Sequence, residues 1–351
     1  MTADVRFSVV IPIWNDSTWL PGAIRSVLGQ SHKALELVIS DNASDEDLAA
    51  VVATFDDPRI RHHRWPDHVG TYENHNRALD LARHDWLVPL GSDDRLRPDA
   101  LALMAARIGE LSKAGIHPSM VVGRSARVDA DGNPAERRYY GSQGAKVVAA
   151  GLYEGSAWLR LIASPGAPPW NIGSIAFRHQ AVVDGGGAFR PEVGLSADNE
   201  LVLRMGAMGQ VAYVERELMD FTVRSDSDGN QRFFHNRSTG ARDTPMGAAF
   251  RSALPAFEAQ GLVGDRERRE VRRAVARLYL QRAGQHRILP GGRGWPAAAL
   301  DVLRAFREWP GLIGSPSSVL RAAGALLAPP AIIRRVSSHL SHLGEQPLEV
   351  I

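Results

Sequence analysis

Short apolar segments alternate with helical patterns along the first part of the chain. The strongest of these segments are Phe7–Ile13, Leu35–Ser40 and Trp86–Leu90, and each is followed by small or polar residues. Segments that are apolar throughout are typical of parallel strands with both faces covered, because a half-exposed strand alternates apolar and polar residues. The alternation of such strands with helices predicts a doubly wound α/β unit.

The remaining patterns extend this unit and then change. The predicted helices of the α/β part lie at 18–29, 46–55, 71–83, 101–111 and 198–208. Its other predicted strands lie at 59–65, 120–128, 172–177, 211–215 and 219–224. From about residue 229 the pattern is helical only, with predicted helices at 265–283, 295–309 and 315–327. The sequence therefore predicts an all-helical C-terminal extension after the α/β part.

The segment Trp86–Leu90 ends on a small-residue turn and then on two adjacent carboxylates, Asp93 and Asp94. In open α/β sheets, ligands bind outside the carboxyl ends of the strands. Two hard oxygen donors at such a position suit Mg²⁺ or Mn²⁺ that holds a substrate's phosphates. Trp14 and Asp41 follow the two other strong strands, so all these groups converge on one edge if the strands are parallel and adjacent. The pattern indicates an enzyme that handles a nucleoside diphosphate.

Composition limits the alternatives. The chain has 351 residues, of which 44% are apolar and 23% charged, as is ordinary for a soluble globular protein. A net charge of +2 without a long block of like charge gives no reason to expect a nucleic-acid partner. The absence of cysteine excludes disulfides and thiolate metal sites. Because there is no apolar signal core and no apolar run of the roughly 18 residues that span a bilayer, we expect a cytoplasmic protein.

Five stretches together resemble glycosyltransferase family two, whose members have the GT-A fold. They are VVIPIWN (9–15), SVLGQS (26–31), ISDNASDED (39–47), NRALDLARHDWLVPLGSDD (76–94) and GLSADNELVLRM (194–205). The resemblance implies a GT-A, Rossmann-like mixed sheet flanked by helices. It also implies transfer of a sugar from a nucleotide-diphosphate sugar to an acceptor hydroxyl, with inversion at the anomeric carbon. Residues 1–105 are then the nucleotide-sugar-binding half of the core, 106–228 the acceptor-binding half, and 229–351 the helical extension.

The resemblance also implies which residues bind the donor. Asp41 resembles the family's base-binding aspartate, and Asn42 stands where a second aspartate is common. Gly91–Ser92–Asp93 falls on the family's DxD motif with glycine at the first acidic position, so binding of Mn²⁺ or Mg²⁺ would depend on Asp93, with Asp94 as a second ligand. The other predicted donor-binding residues are Pro12, Trp14, Asn15, Asn76 and Ser92. The family's metal-binding histidine after the last core strand has no counterpart in 223–230. The alternatives are Asp226 and Asp228 in this segment and His235 after it.

Asp198 is the predicted catalytic base, because it matches the aspartate that opens the acceptor-side helix in the family. A carboxylate within hydrogen-bond reach can take the proton of the attacking hydroxyl, and a helix N-terminus favours its ionised form. The Gln-x-x-Arg-Trp motif of the family's processive synthases is absent, so we expect one sugar to be added per binding event. The structural alternatives are an N-cap for Asp198, an Asx-turn for Asp41 and a helix cap for Asp93 and Asp94.

Two other functions remain open at this point. A nucleotidyltransferase would use acidic metal ligands on a related fold, but it usually has a Gly-rich, Lys/Arg-bearing loop after the first strand, which is missing here. A catalytically inactive nucleotide-binding module would fit the glycine at position 91. The expected partners are a nucleotide-sugar donor and a glycan or lipid-linked acceptor.

The C-terminal helices have three interpretations. They cover the core, form a contact between two copies of the chain, or dock on an anionic membrane surface at the inner face of the membrane. The residues that favour docking are Trp295, Trp309, Leu312, Leu320, Arg304, Arg307 and Arg321.

Overall fold

The computed structural model describes residues 5–135, 149–164, 170–224, 244–286 and 295–314, with residues 318, 319 and 322. These residues form two compact units. The first contains 5–135, 149–158 and 170–224, and the second contains 159–164 and the described residues from 244 onward.

The first unit is built on a mixed sheet of nine strands, counted over the described residues. The strands are β1 (Phe7–Ile13), β2 (Leu35–Asp41), β3 (Ile60–Arg64), β4 (Trp86–Pro89), β5 (Arg95–Leu96), β6 (Met120–Val128), β7 (Gly151–Tyr153), β8 (Ile175–Arg178) and β9 (Val211–Thr222). Their order is β3-β2-β1-β4-β8-β6-β9-β5, and β7 pairs with β9. Strands β3, β2, β1 and β4 are parallel, whereas β8 is antiparallel to both β4 and β6. The predicted mixed α/β sheet is therefore confirmed.

Helices flank this sheet. They are α1 (Leu20–Leu28), α2 (Leu48–Ala53), α3 (Thr71–Asp80), α4 (Ala100–Lys113), α5 (Gly155–Ala163), α6 (His179–Asp184) and α7 (Ala197–Ala207), with 3₁₀ turns at Ile172–Ser174 and Pro191–Ser196. Helix α1 buries Leu20, Ile24 and Val27, whose spacing places them on one helix face. Together with the buried face of α4 and inward side chains of β1, β2 and β4, they form one apolar core. This core holds the strand ends in fixed positions.

The second unit is helical in its described residues. Its helices are α8 (Pro245–Ala259), α9 (Asp265–His286) and α10 (Trp295–Glu308), followed by a 3₁₀ turn at Pro310–Gly314. The arginine-rich α9 is partly paired inside the unit, because the buried Asp301 of α10 accepts hydrogen bonds from Arg282 at 2.6 and 2.7 Å. Most of the helix predicted at 315–327 lies outside the described residues. None of the helices in the described part of the chain combines the length and apolar character that a membrane crossing requires.

Several elements differ from the sequence predictions. The strands predicted at 211–215 and 219–224 are one continuous strand, β9. The charged residues Glu215, Arg216 and Glu217 interrupt its apolar pattern. The pairing with β6 is irregular at this point and resumes after a register shift, with Glu217 opposite Arg124. The short strands β5 and β7 and the helices α5, α6 and α8 were not predicted, since each is brief or lacks a strong periodic pattern.

Candidate functional site

The carboxyl ends of β1, β2 and β4 meet at one edge of the sheet. Ile13 lies opposite Asp41, and Val10 lies opposite Pro89. The pairing continues into the loops, because the backbone N–H of Asn42 donates to the carbonyl of Ile13 at 2.9 Å. The ends of these parallel, adjacent strands thus converge at one edge, as the sequence predicts.

Four side chains from three segments form what we call the acid–arginine cluster: Asp16, Ser92, Asp93 and Arg224. The Ser92 hydroxyl donates to Asp16 Oδ2 at 2.5 Å. Arg224 Nη1 donates to Asp16 Oδ1 and Oδ2 at 3.0 and 3.1 Å and to Asp93 Oδ2 at 3.4 Å. The guanidinium also lies 4.9 Å from the ring centre of Trp19. Three carboxylate oxygens of two acids therefore surround one positively charged nitrogen.

The two adjacent aspartates have different surroundings. Asp94 is buried and accepts a hydrogen bond from the backbone N–H of Thr222 at 3.0 Å. Burial, together with the neighbouring charge of Asp93, raises the pKa of Asp94 well above its usual value. Burial also raises the pKa of Asp93, with Arg224 acting to lower it and Asp16 to raise it. Asp94 thus attaches the turn to β9, whereas Asp93 belongs to the acid–arginine cluster.

A side chain at position 91 would meet the carboxylates of the next two acids. A Cβ atom added to Gly91 would lie 2.9 Å from Asp94 Oδ2 and 3.0 Å from Asp93 Oδ1. The first distance is shorter than real Cβ contacts in proteins and the second is shorter than most of them, so these carboxylates would have to move to accept another residue. The glycine at the first position of the DxD motif thus leaves space that Asp93 and Asp94 occupy.

The donor set fits a divalent cation in part. Within the described residues, no group of three or more His, Asp or Glu side chains is arranged to hold a metal ion. Asp16 and Asp93 nevertheless point their oxygens at the same cationic nitrogen, and carboxylate oxygens are the ligands that Mg²⁺ and Mn²⁺ prefer. These two residues could hold such an ion together with phosphate oxygens of a ligand. The alternatives Asp226, Asp228 and His235 lie outside the described residues.

Asp41 is fully buried at the end of β2, and both of its carboxylate oxygens have partners inside the protein. Oδ1 accepts from the backbone N–H of Ser44 at 2.9 Å, and Oδ2 accepts from Arg64 Nη1 at 3.2 Å. Oδ2 also lies 3.8 Å from His62 Nε2. A nucleotide base that reaches Asp41 would therefore have to take the place of Arg64.

The predicted donor-binding amides Asn15 and Asn42 bind backbone groups. Asn15 adopts a left-handed conformation with φ of 46° and accepts the N–H of Asp45 at 2.6 Å. The Asn42 amide accepts from the N–H of Val69 at 2.9 Å and donates to its carbonyl at 2.8 Å. Both side chains fasten loops at the carboxyl edge, so their contact with a donor stays a prediction.

Trp14 is the most accessible of the predicted donor-binding residues. Its side chain is 51% exposed, and its ring centre lies 4.7 Å from that of His68. Pro12 lies in β1 opposite Ser40 of β2, where its ring is part of the sheet. Trp14 therefore offers an aromatic face at the edge, and Pro12 shapes the strand that leads to it.

Asp198 lies in the first turn of α7. Its Oδ1 accepts hydrogen bonds from the backbone N–H of Asn199 at 2.7 Å and from Asn199 Nδ2 at 2.9 Å. Burial raises the pKa of Asp198 to about 6, and the bonds from Asn199 act to lower it. The carboxylate is thus ionised at neutral pH and more basic than an exposed aspartate.

The turn that precedes Asp198 is fastened to the start of α3. The Tyr72 hydroxyl donates to the Leu195 carbonyl at 3.3 Å, and the Tyr72 ring stacks on Phe189 with 5.4 Å between ring centres. The amide of Asn76 holds the same segment, because it donates to the Phe189 carbonyl and accepts its N–H, both at 2.9 Å. Helix α3 begins two residues after Val69, so Asp198 lies on the side of the sheet where β2 ends.

A buried ion pair behind Asp198 was not predicted. Glu200 and Arg204 are both fully buried, and Arg204 Nε lies 2.9 Å from Glu200 Oε1. Arg204 also donates to the carbonyls of Gly185 and Gly187 at 2.8 and 2.7 Å and to that of Ala188. The i,i+4 spacing of Glu200 and Arg204 was visible in the sequence, but surface pairs have the same spacing. The pair fixes the glycine-rich turn at 185–187 against α7.

Comparison with solved structures identifies the fold. Crystal structures of residues 1–349 of S. aureus TarS align with 97% of this chain. The complex with UDP has a TM-score of 0.54 at 15% identity and is covered over 88% of its length. The complex with UDP-GlcNAc has a TM-score of 0.54 at 17% identity and is covered over 86% of its length. These neighbours are glycosyltransferases of the GT-A type, so the predicted GT-A fold is confirmed.

Comparison with protein families then confirms the resemblance. The family described as Glycosyl transferase family 2 matches residues 8–152, which are therefore a family 2 glycosyltransferase domain. An uncharacterized protein of Mycobacterium tuberculosis, MT1568, is 29% identical over 215 residues, which cover 60% of this chain and 65% of the relative. A PGL/p-HBAD biosynthesis glycosyltransferase of Mycobacterium bovis is 37% identical over 123 residues, which cover 34% of this chain and 48% of the relative. The chain thus matches about half to two thirds of the length of these relatives.

Proposed function

We propose that the chain is an inverting glycosyltransferase that moves a sugar from a nucleotide-diphosphate sugar to an acceptor hydroxyl. The observation that carries the proposal is the position of Asp198, a carboxylate in the first turn of α7, on the side of the sheet where the acid–arginine cluster lies. The family assignment of residues 8–152 supports the reaction class. One relative is named for PGL/p-HBAD biosynthesis, and another is named as a glucosyltransferase for an undecaprenol-linked glycan. These names favour a glycan or lipid-linked acceptor, in glycan, polysaccharide or glycolipid synthesis.

In this proposal the donor binds at the ends of β1, β2 and β4. Asp93 would hold a divalent cation, Mn²⁺ or Mg²⁺, whose charge would stabilise the diphosphate as a leaving group. The exposed ring of Trp14 contacts the nucleotide. Asp94 has a structural role, because its carboxyl group is buried against the backbone of Thr222. The domain prediction is retained as part of the proposal, with residues 1–105 for the donor and 106–228 for the acceptor.

The transfer is a single displacement. The acceptor oxygen attacks the anomeric carbon, and its proton passes to Asp198. The bond between the anomeric carbon and the diphosphate oxygen breaks, and the nucleoside diphosphate leaves with the electron pair. Both bonds from Asn199 go to Oδ1 of Asp198, which leaves Oδ2 to receive the proton. Attack from the face opposite the leaving group inverts the configuration.

The pKa of Asp198 predicts a pH profile. Because the base must be ionised and its pKa is raised to about 6, kcat/KM should be constant above pH 6 and fall about tenfold per pH unit below it. A break near pH 4 would show that a carboxylate with an ordinary pKa controls the rate. Asn199→Ala removes one hydrogen bond that lowers this pKa, so its break should move to higher pH. If the break stays at the same pH in this variant, the ionisation of Asp198 does not control the pH profile.

An activity panel tests the proposal against its alternatives. The chain is incubated with UDP- and GDP-sugars and Mn²⁺, and the released nucleoside diphosphate is measured. Slow hydrolysis of one donor, accelerated by an acceptor hydroxyl, is the expected result. Pyrophosphate formed from a nucleoside triphosphate and a sugar phosphate would instead indicate a nucleotidyltransferase. Nucleotide binding without turnover would indicate the inactive module.

Contact with a membrane or with a second copy, and a cytoplasmic location, stay predictions. Among the residues named for docking, Leu312 is buried in the helical unit, and the Trp309 ring lies 4.6 Å from the guanidinium of Arg273. Among the described side chains of α10, Leu300 and Leu303 are large apolar groups that are 46% and 66% exposed. If α10 contacts a bilayer, these two leucines are available to enter it. Trp295, Leu320 and Arg321 have no described side chains.

A further inference from the structure

We propose that Asp16 is the second carboxylate of the donor's cation site, in place of an acid at position 91, and that Arg224 competes with the cation for this site. The inference rests on the proposed function for the identity of the ligand, a nucleoside diphosphate. Its geometric basis lies entirely within the first unit.

The first argument concerns the shape of the turn. An acid at position 91 would require the two neighbouring carboxylates to move, because its Cβ would lie 2.9 and 3.0 Å from oxygens of Asp94 and Asp93. Asp16 supplies a carboxylate beside the same turn from the loop after β1, and the Ser92 hydroxyl holds it there at 2.5 Å. Asp16, which is distant in the sequence, thus places a carboxylate beside Asp93, where the DxD motif of this chain supplies no first acid.

The second argument concerns the cation that is already present. One nitrogen, Arg224 Nη1, lies 3.0 and 3.1 Å from the two oxygens of Asp16 and 3.4 Å from Asp93 Oδ2. Carboxylate–metal distances are shorter, about 2.1 Å for Mg²⁺, so the two acids would need to close on an ion by about 1 Å each. This movement is small for side chains in loops. The point occupied by Nη1 is therefore close to where a divalent ion would bind.

The third argument concerns charge. Two carboxylates that share a site repel each other, and the single charge of Arg224 neutralises only one of them. A divalent ion would neutralise both, but it cannot bind while the guanidinium occupies the same point. Metal binding must therefore displace Arg224, and this displacement lowers the affinity for the metal alone. A diphosphate provides new partners for the displaced guanidinium, since arginine binds phosphate oxygens through its paired N–H groups. Donor and metal are then expected to bind cooperatively.

The test uses Mn²⁺ alone on the full chain, without nucleotide, with free Mn²⁺ measured by electron paramagnetic resonance. Arg224→Met should bind Mn²⁺ at least tenfold more tightly than the unmodified chain. Adding Asp16→Asn to Arg224→Met should abolish this gain. Unchanged affinity in Arg224→Met, or a gain that survives Asp16→Asn, would overturn the proposal.

Arg97→Met is the matched control. Arg97 pairs with Glu217 and Asp220, which both lie in β9. Its removal, like that of Arg224, leaves two acids without their shared guanidinium. Its Mn²⁺ affinity should equal that of the unmodified chain. An equal gain in this variant would show that any exposed pair of acids binds the ion, and the specific site would be refuted.

A second measurement keeps the proposal testable if Arg224→Met does not fold. In the otherwise unmodified chain, Asp16→Asn should reduce the Mn²⁺-dependent part of UDP affinity at least tenfold and leave UDP affinity in EDTA unchanged. Equal Mn²⁺ dependence in both proteins would overturn the role of Asp16. If no nucleoside diphosphate binds at all, the proposed function fails, whereas the Mn²⁺ titrations still decide the cation site.

Discussion

Asp198→Asn is expected to lower kcat by about 10³-fold, because positioned general bases contribute about 10² to 10⁴ in rate. Asparagine keeps the size of the side chain and an oxygen that accepts from Asn199, but it cannot take a proton from the acceptor. Donor binding should be unchanged, since Asp198 is not part of the acid–arginine cluster. Transfer rates and nucleotide affinity, measured on the same preparation, check both statements.

Glu192→Gln is the matched control for this variant. Glu192 is an exposed acid in the 3₁₀ turn that precedes α7, so its loss changes the local charge without removing the proposed base. It should retain the turnover of the unmodified chain. Turnover that survives Asp198→Asn would remove Asp198 from the mechanism, and a parallel loss in Glu192→Gln would assign the effect to local charge.

Arg204→Met is expected to lower the free energy of unfolding by about 3–5 kcal/mol, which is the range for removing one partner of a buried ion pair. The change removes the guanidinium that lies 2.9 Å from the fully buried Glu200, whose other cationic contact in the described residues is Arg190 at 3.2 Å. It also removes the donors to three backbone carbonyls of the turn at 185–188. Urea unfolding followed by circular dichroism measures the loss.

The control for Arg204→Met is Arg107→Met. Arg107 forms a surface pair with Glu110, and such pairs contribute about 0–1 kcal/mol. A double variant, Glu200→Leu with Arg204→Met, should regain part of the stability, because no charge is then left buried. Similar losses in Arg204→Met and Arg107→Met would contradict the structural role given to the buried pair.

The fold could be predicted where local patterns are strong. Strands β1, β2 and β4 are mostly apolar, because helices cover both faces of the sheet, and this pattern is visible in the sequence. Strand β9 was divided in the prediction, since the charged residues 215–217 lie within a strand whose continuity depends on pairing with β6. Helix α8 contains Pro255, which sequence rules treat as a break, yet the helix continues through it.

The site could be predicted only in part. The aspartates at strand and helix ends could be named as candidates because their positions are local features of the sequence. The contact between Asp16 and Arg224 joins residues 208 positions apart, and no local pattern reports it. Asn42 and Asn76 bind backbone groups of neighbouring loops, and their contact with a donor stays a prediction. An amide has the same appearance in a sequence whether its partner is a ligand or the chain itself.

The central claim is that a nucleoside diphosphate binds beside Asp93 with a divalent cation. Isothermal titration of UDP and GDP in the presence of Mn²⁺ tests it most directly, on the unmodified chain and on Asp93→Asn. The account predicts that at least one nucleotide binds and that Asp93→Asn weakens this binding at least tenfold with Mn²⁺ but not in EDTA. Equal affinity of the two proteins for the nucleotide in Mn²⁺ would contradict it.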